Sequence, residues 1–291
     1  METRAGKDGI RQFLFALRKN VIGGGGDAYQ EALNLSAEEF DIEFSRYIKD
    51  RFRAFRDKER PEDYGANLAP DPRESEFVAV YSIEPSPSGD LLAAMATNVK
   101  DRELDIVLVS VQDGSIVRNL TPGFSQDEGY EYITLPGARW NTVPWMSWSP
   151  AGDRIGYFVR KGKRKTLIVR DVVSGDIEER VDMTMVDEPE SPDIALDGSR
   201  VAFSALQNAI GDIYIADLVT GDVTNVTNDD FADYAPTFSP DGQSIVYMTR
   251  ISGNNKLFRL DLETGEKLQL TFGTHDETAA QFLDDDRVVF S

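Results

Sequence analysis

Cysteine is absent from the 291 residues and histidine occurs once, at residue 275. The missing cysteine excludes disulfides, thiolate metal sites and cysteine nucleophiles. A single histidine cannot form the H-E-x-x-H zinc motif, which needs two histidines one helical turn apart. No run in this sequence reaches the ~18 to 20 apolar residues of a membrane-spanning helix.

The N-terminus also lacks the pattern of a secretory signal peptide. Residues 1–9 are polar, and the apolar residues that follow are periodic and not continuous. We therefore expect the chain to begin partway through a longer protein.

Basic charge is scarce over most of the chain. The formal net charge is −20, and residues 1–60 carry 12 Lys/Arg against 11 Asp/Glu, so the other residues hold 19 basic and 40 acidic side chains. A surface this acidic repels phosphate backbones, so nucleic acid is not an expected partner. Solubility alone and an acidic binding face both remain open as explanations.

The first 60 residues have the periodicity of amphipathic helices. Ile10, Phe13, Leu14 and Leu17 lie on one helical face, and the four glycines 23–26 end that stripe. Ser36 begins a capping box, S-x-x-E, ahead of a second apolar face. We predict a helical segment at 1–60, followed by a Pro-, Gly- and charge-rich linker at 61–76.

Residues 77–291 repeat two short phrases. The first reads SPSGD, SPAGD, ALDGS and SPDGQ, with FLDDD as a degenerate fifth copy; the second reads SVQDG, DVVSG, DLVTG and DLETG. Successive copies of the first are separated by 63, 46, 44 and 43 residues, and those of the second by 61, 46 and 44. Two turn signals that keep step at this period indicate a repeat architecture.

The phrases are tight turns, and the stretches between them suit short strands. Glycine supplies the positive φ of a hairpin turn, and Asp171, Asp217 and Asp261 can accept hydrogen bonds from the backbone two residues on. The N-L-T and N-V-T sequons at Asn119 and Asn225 are interpreted as repeat consensus and not as glycan sites. Each repeat thus holds four antiparallel strands, A to D, the blade of a β-propeller.

The phrase F-S-P-D-G-x-x-I-V-Y, followed by D-L-x-T-G, resembles the WD40-like repeats of TolB-type β-propellers over residues 77–291. Such propellers occur in bacterial envelope proteins and in several peptidases, so the resemblance implies a periplasmic or secreted setting. The repeat identifies the fold far better than the function.

The N-terminal 60 residues resemble the closing helices of a gluzincin-type, peptidase MA-like metallopeptidase domain. That family carries H-E-x-x-H, which this chain lacks. No G-x-S-x-G elbow occurs either, and GGGGDA at 23–28 follows a helical stripe where a nucleotide site needs a strand. We therefore assign no catalytic residue, no metal ligand and no cofactor to this chain.

One side of the propeller is the candidate binding face. In an up-and-down meander the D-to-A links and the B-to-C turns emerge on the same side. The first link is long and rich in aromatic residues, and the later links carry acids that could attract a basic peptide or a divalent cation. The aromatic residues could instead pack inside the propeller. The candidate binding residues are Tyr130, Tyr132, Trp140, Trp145, Asp187, Asp233 and Asp276.

The fold prediction is a mainly β chain: a partial β-propeller of four complete four-stranded blades plus half of a fifth, with a small N-terminal α-helical segment. A propeller closes its ring to remove its open edges, so we expect this chain to be a fragment lacking an upstream peptidase-like domain and downstream blades. The expected function is a non-catalytic module that binds a protein or peptide. The alternatives are part of a zinc metallopeptidase with its H-E-x-x-H upstream and, less well supported, a TolB-like envelope transport scaffold.

Overall fold

A computed structural model describes residues 8–23, 27–56, 75–133 and 144–291. The contacts divide the chain into two compact units, 1–67 and 68–291. Most of the predicted linker, 61–76, lies outside the described residues.

The first unit contains three helices: α1 (Gly9–Gly23), α2 (Ala28–Leu33) and α3 (Ala37–Arg56). The predicted capping box is present before α3, because Glu39 N donates to Ser36 Oγ over 3.1 Å and Ser36 N donates to the Glu39 carboxylate over 2.8 Å. Phe13 and Tyr29 join α1 to α2 with ring centroids 4.9 Å apart. Much of the apolar stripe of α1 remains exposed, including Ile10 and Leu14.

The second unit is a succession of antiparallel sheets, as the repeats predict. Blade 1 contains β1 (Phe77–Pro85), β2 (Leu91–Asn98), β3 (Glu103–Ser110) and β4 (Ile116–Asn119). Blade 2 contains β5 (Glu131–Tyr132), β6 (Met146–Trp148), β7 (Arg154–Lys161), β8 (Arg164–Asp171) and β9 (Ile177–Asp182). A five-residue helix of the first link, α4 (Phe124–Glu128), lies between β4 and β5.

Blade 3 contains β10 (Glu188–Ile194), β11 (Arg200–Gln207), β12 (Ile210–Asp217) and β13 (Val223–Asn225). Blade 4 contains β14 (Asp233–Phe238), β15 (Ser244–Ile251), β16 (Asn254–Asp261) and β17 (Lys267–Gln269). A last hairpin pairs β18 (Gln281–Asp284) with β19 (Arg287–Val289). Within each blade, strands adjacent in sequence pair antiparallel; in blade 2, β5 and β6 both pair with β7.

The turn phrases act as their chemistry predicts. Gly242 of the A-to-B hairpin and Gly265 of the C-to-D hairpin have φ of +68° and +73°. This backbone conformation is strained for a residue that carries a side chain, so glycine is favoured at both turns. Asp217 Oδ1 accepts hydrogen bonds from the backbone N–H groups of Val219 and Thr220 at 2.9 and 2.8 Å. These bonds lower the pKa of Asp217, which identifies the turn aspartates as structural acceptors.

Successive sheets contact each other through their innermost strands. β1 contacts β6, β6 contacts β10, β10 contacts β14 and β14 contacts β18. Side chains at one repeat position of strand A accept a hydrogen bond from the backbone of strand A in the next blade. Ser147 Oγ accepts from Ile194 N at 3.2 Å, and Asp193 Oδ2 accepts from Phe238 N at 2.8 Å. This arrangement places strand A innermost, as in a propeller.

Apolar layers between neighbouring blades form the core. One cluster joins blades 1 and 2, a second joins blades 2 and 3, and a third joins blades 3 and 4. Tyr157, Phe203 and Tyr247 occupy one position of strand B in three successive blades and are at most 1% exposed. The predicted fold, a run of four-stranded propeller blades with a small helical segment before it, is therefore confirmed. Among the described helices, none has the length and apolar character needed to cross a membrane.

Candidate functional site

The D-to-A links and B-to-C turns do share one side of the propeller, which we call the link rim. Asp187, in the link entering blade 3, accepts a 3.3 Å hydrogen bond from Asn208 N in the B-to-C turn of that blade. Asp276, in the link after blade 4, accepts a 2.7 Å hydrogen bond from Asn255 N in the B-to-C turn of blade 4. The opposite side, the hairpin rim, carries the repeated glycine turns.

Tyr130 is the half-buried aromatic residue of the first link. Its ring stacks on Phe124 with centroids 5.0 Å apart, and the Lys161 ammonium lies 5.5 Å from the ring centre. Lys161 also donates to the carbonyl of Glu128 over 2.8 Å. The link is thus held against the B-to-C turn of blade 2.

Two other aromatic candidates lie in the core and not on the rim. Tyr132 is 7% exposed and packs against Phe124 and Tyr157, while Trp145 is 6% exposed and stacks on Tyr81. Burial raises the pKa of Tyr132 well above its usual value. The expectation that these two side chains contact a partner is therefore corrected: the alternative, packing inside the propeller, describes them.

Trp140, the remaining aromatic candidate, lies outside the described residues. Trp148, which follows on β6, is buried and donates from Nε1 to the carbonyl of Glu84 over 2.9 Å. It thereby ties blade 2 to the innermost strand of blade 1.

The three candidate acids divide in the same way. Asp187 and Asp276 are exposed on the link rim, where each also holds a B-to-C turn. Asp233 is 2% exposed at the start of β14, so it cannot attract a partner from solution as a rim charge would. The sequence did not distinguish them, because all three acids lie in or directly after a D-to-A link.

Asp233 belongs to a buried carboxylate cluster at the junction of blades 3 and 4. One oxygen from each of Asp212, Asp229 and Asp233 lies within 4.8 Å of the other two. Burial raises the pKa of Asp233 to about 7, with a smaller upward contribution from the charge of Asp229. Carboxylate oxygens at this spacing are suited to a hard divalent cation.

A second cluster in the described part of the chain brings together Asp101, Glu103 and Asp105 at the junction of blades 1 and 2. The sequon residues bond to this cluster and to the strand that carries it. Asn119 Nδ2 donates to Asp105 Oδ2 over 2.8 Å, and Thr121 Oγ1 accepts from the backbone N–H of the next residue, Ile106, over 2.8 Å. Asn225 and Thr227 repeat this at Asp212 and Ile213. The interpretation of the sequons as repeat consensus agrees with these contacts.

Two innermost-strand acids were missed by the sequence analysis. Glu84 on β1 and Asp193 on β10 are partly buried, and burial raises the pKa of each to about 7. The charge of Asp193 adds to the upward shift of Glu84. Both residues lie two positions before the first residue of the turn phrase. Aligning the repeats at that position would therefore have identified them from the sequence.

Exposed apolar side chains of the link rim were also missed. Phe231 and Phe272, in the links before and after blade 4, are 49% and 72% exposed, and Met185, in the link before blade 3, is 53% exposed. Acids stand beside them in each link: Asp187, Asp230 and Asp276. Sequence alone does not show which link residues turn outward.

Comparison with known proteins agrees with this architecture. Residues 138–291 match the PD40 family, the TolB beta propeller domain. Dipeptidyl-peptidase 5 of Porphyromonas gingivalis is 26% identical over 187 residues, which is 58% of this chain and 26% of that protein. The matched part of the chain therefore spans about a quarter of that relative's length.

Solved structures show the same fold at low identity. The structure of putative TolB from Agrobacterium tumefaciens superposes with a TM-score of 0.50 at 20% identity, over 65% of this chain and 63% of that one. A structure from a study of two prolyl endopeptidases superposes with a TM-score of 0.52 at 14% identity, over 86% of this chain and 37% of that one. With its repeats, its stacked four-stranded blades and a family match over more than half its length, the chain belongs to the TolB β-propeller domain family.

Proposed function

We propose that this chain is a non-catalytic propeller module that binds a protein or peptide through the acidic part of its link rim. The observation that carries the proposal is the exposure of two phenylalanines, Phe231 and Phe272, among carboxylates that flank blade 4. Exposed aromatic side chains are favoured anchors at interfaces, and carboxylates around them select a basic partner.

The hairpin rim is also acidic, and some of its carboxylates, like Asp187 and Asp276 on the link rim, accept backbone hydrogen bonds. Asp217 and Asp261, for example, accept backbone hydrogen bonds within their own turns. Asp230 on the link rim is exposed next to Phe231. The described residues of the hairpin turns expose aliphatic side chains, such as Val173 and Val219, where the link rim exposes phenylalanines, so a basic segment with aromatic side chains is better matched by the link rim.

Binding can be tested with a short fluorescent peptide in which lysine alternates with phenylalanine, and with a glutamate–phenylalanine peptide as the control. The triple variant Asp187→Asn, Asp230→Asn, Asp276→Asn removes rim charge while leaving an oxygen acceptor at each position. The double variant Phe231→Ser, Phe272→Ser removes the aromatic anchors. Each should weaken binding of the basic peptide at least about tenfold by fluorescence anisotropy.

Matched variants on the hairpin rim separate a specific surface from general attraction. The triple variant Asp90→Asn, Asp222→Asn, Glu263→Gln changes the charge equally, and the double variant Val173→Ser, Val219→Ser removes apolar side chains that are more exposed than the two phenylalanines. Both should bind the peptide as the natural sequence does. Equal losses from the two rims would show only that an acidic protein attracts a basic peptide, and would overturn the assignment.

A second candidate is that the propeller serves a peptidase and governs which peptides reach a catalytic domain elsewhere in the intact protein. The similarity to a protein named dipeptidyl-peptidase 5 favours it. The zinc form of this candidate rests on the resemblance of residues 1–60 to gluzincin helices, and a periplasmic or secreted setting follows from the TolB resemblance. Hydrolysis of dipeptide chromogenic substrates by the intact protein would support it, and inhibition by a chelator would favour zinc.

A further inference from the structure

The carboxylate cluster at the junction of blades 3 and 4 contains an unsatisfied buried oxygen. Thr249 Oγ1 donates to Asp233 Oδ1 over 2.8 Å, whereas Asp233 Oδ2 is buried and has no hydrogen-bond partner among the described residues. Buried polar atoms of folded proteins almost always have a partner, and an unpaired carboxylate oxygen is costly to bury. The other two carboxylates of the cluster lie beside it, within 4.8 Å.

At the equivalent position of blade 4, a lysine neutralises the buried carboxylate of the next junction. Lys256 occupies the repeat position of Asp212, 44 residues later. Its ammonium donates to Glu277 Oε2 over 2.7 Å and to the carbonyl of His275, and both side chains of the ion pair are buried. At that junction the protein supplies its own cation.

The equivalent position of blade 1 is satisfied by neutral donors. Asp105 accepts from Asn98, Asn119 and Thr121. The neighbouring Glu103 accepts from three backbone N–H groups of the first link, those of Gly123, Ser125 and Gln126. The blade 1 cluster is therefore complete without a bound ion, although it too has three acids.

At the junction of blades 3 and 4 the protein compensates only part of the charge. Lys267 Nζ lies 2.5 Å from Asp229 Oδ2 and 2.7 Å from the carbonyl of Thr227. Asp212 accepts from Asn225 and Thr227, which are uncharged. When all three carboxylates are ionised, one ammonium leaves two negative charges, which one divalent cation would neutralise.

We propose that Asp212, Asp229 and Asp233 bind one Ca²⁺ ion at the junction of blades 3 and 4. Ca²⁺ binds oxygen ligands at about 2.3–2.6 Å, so ligands on opposite sides of the ion are about 5 Å apart, which accommodates the separation of these oxygens. Mg²⁺ requires shorter and more regular octahedral bonds, and later transition metals prefer nitrogen or sulfur ligands. The ion would join β12, the link at 226–232 and β14, and so fasten two blades together.

Calorimetric titration of the 291-residue chain with CaCl₂, after chelator treatment and at constant ionic strength, tests the site. The natural sequence should bind one equivalent. Asp233→Asn and Asp229→Asn should each lose at least about tenfold in affinity. Asp229 lies in the link and is half-buried, so Asp229→Asn tests the site even if the buried Asp233 does not tolerate substitution.

Asp230→Asn is the matched control, because it removes the same charge from an exposed neighbour in the same link. It should retain the affinity of the natural sequence within about a factor of two. CaCl₂ should raise the melting temperature of the natural sequence and of this control, but not that of Asp233→Asn. The absence of heat and of stabilisation, an equal loss in Asp230→Asn, or equal affinity for Mg²⁺ would each overturn the proposal.

Discussion

The carboxylate of Asp193, in the innermost strand of blade 3, accepts a 2.8 Å hydrogen bond from the backbone N–H of Phe238 in the innermost strand of blade 4. A side chain of one sheet thus completes the backbone hydrogen bonding of the next. We predict that replacing Asp193 with leucine leaves the N–H of Phe238 unpaired and lowers the free energy of unfolding. Asp193→Asn retains an acceptor oxygen, so at about pH 4 it should be more stable than Asp193→Leu by about 1–3 kcal/mol. Urea unfolding of both variants measures the difference, and equal stability would show that the bond contributes nothing.

Stability should also depend on pH through the two innermost-strand acids. The folded-state pKa of Glu84 and of Asp193 is about 7, above the ordinary value of each. The folded protein therefore holds more protons than the unfolded chain between about pH 4 and about pH 7, and the contribution of these groups to stability falls as the pH rises through that window. Glu84→Gln and Asp193→Asn remove this loss.

Each of those variants should exceed the natural sequence by about 1–3 kcal/mol at about pH 8 and by less as the pH falls to about 4. The difference between variant and natural sequence is the quantity to measure, because the many exposed acids contribute equally to both. A difference that stays constant with pH would contradict the raised pKa values.

The burial of Tyr132 gives a third prediction. Tyr132→Ala should lower the free energy of unfolding by about 3–5 kcal/mol, because it removes an aromatic ring packed against Phe124 and Tyr157. Tyr132→Phe should cost nothing or add stability, since the phenol oxygen is buried and has no hydrogen-bond partner among the described residues. Tyr130→Ala, at the half-buried neighbour, is the matched control and should cost less. A small effect of Tyr132→Ala in thermal melts would restore its assignment to the surface.

Tyr132 also shows where sequence reasoning ends. The repeated phrases placed the blades, because a glycine with positive φ and an aspartate that accepts its neighbours' N–H groups act locally. Whether an aromatic residue of a link turns inward depends on the packing of the following blade, which no local pattern records. Asp230 and Asp233 differ in the same way: they are three residues apart, but Asp233 is the first residue of a buried strand and Asp230 is exposed.

The ion pair of Lys256 with Glu277 gives a fourth prediction. Lys256→Met should lower the free energy of unfolding by about 3–5 kcal/mol, because it leaves the buried Glu277 carboxylate without its cation. The double variant Lys256→Met, Glu277→Leu removes both charges and should recover most of that loss. Chemical denaturation of the single and double variants compares them, and a double variant as unstable as the single one would assign the effect to packing.

Hydrogen–deuterium exchange with and without the lysine–phenylalanine peptide tests the proposed binding face most directly. We expect slower backbone exchange in the links at 226–232 and 270–280, with no change in the hairpin turns at 196–199 and 240–243. Slower exchange in the hairpin turns, or no protection under conditions where the peptide is bound, would contradict the assignment of the link rim as the interaction surface.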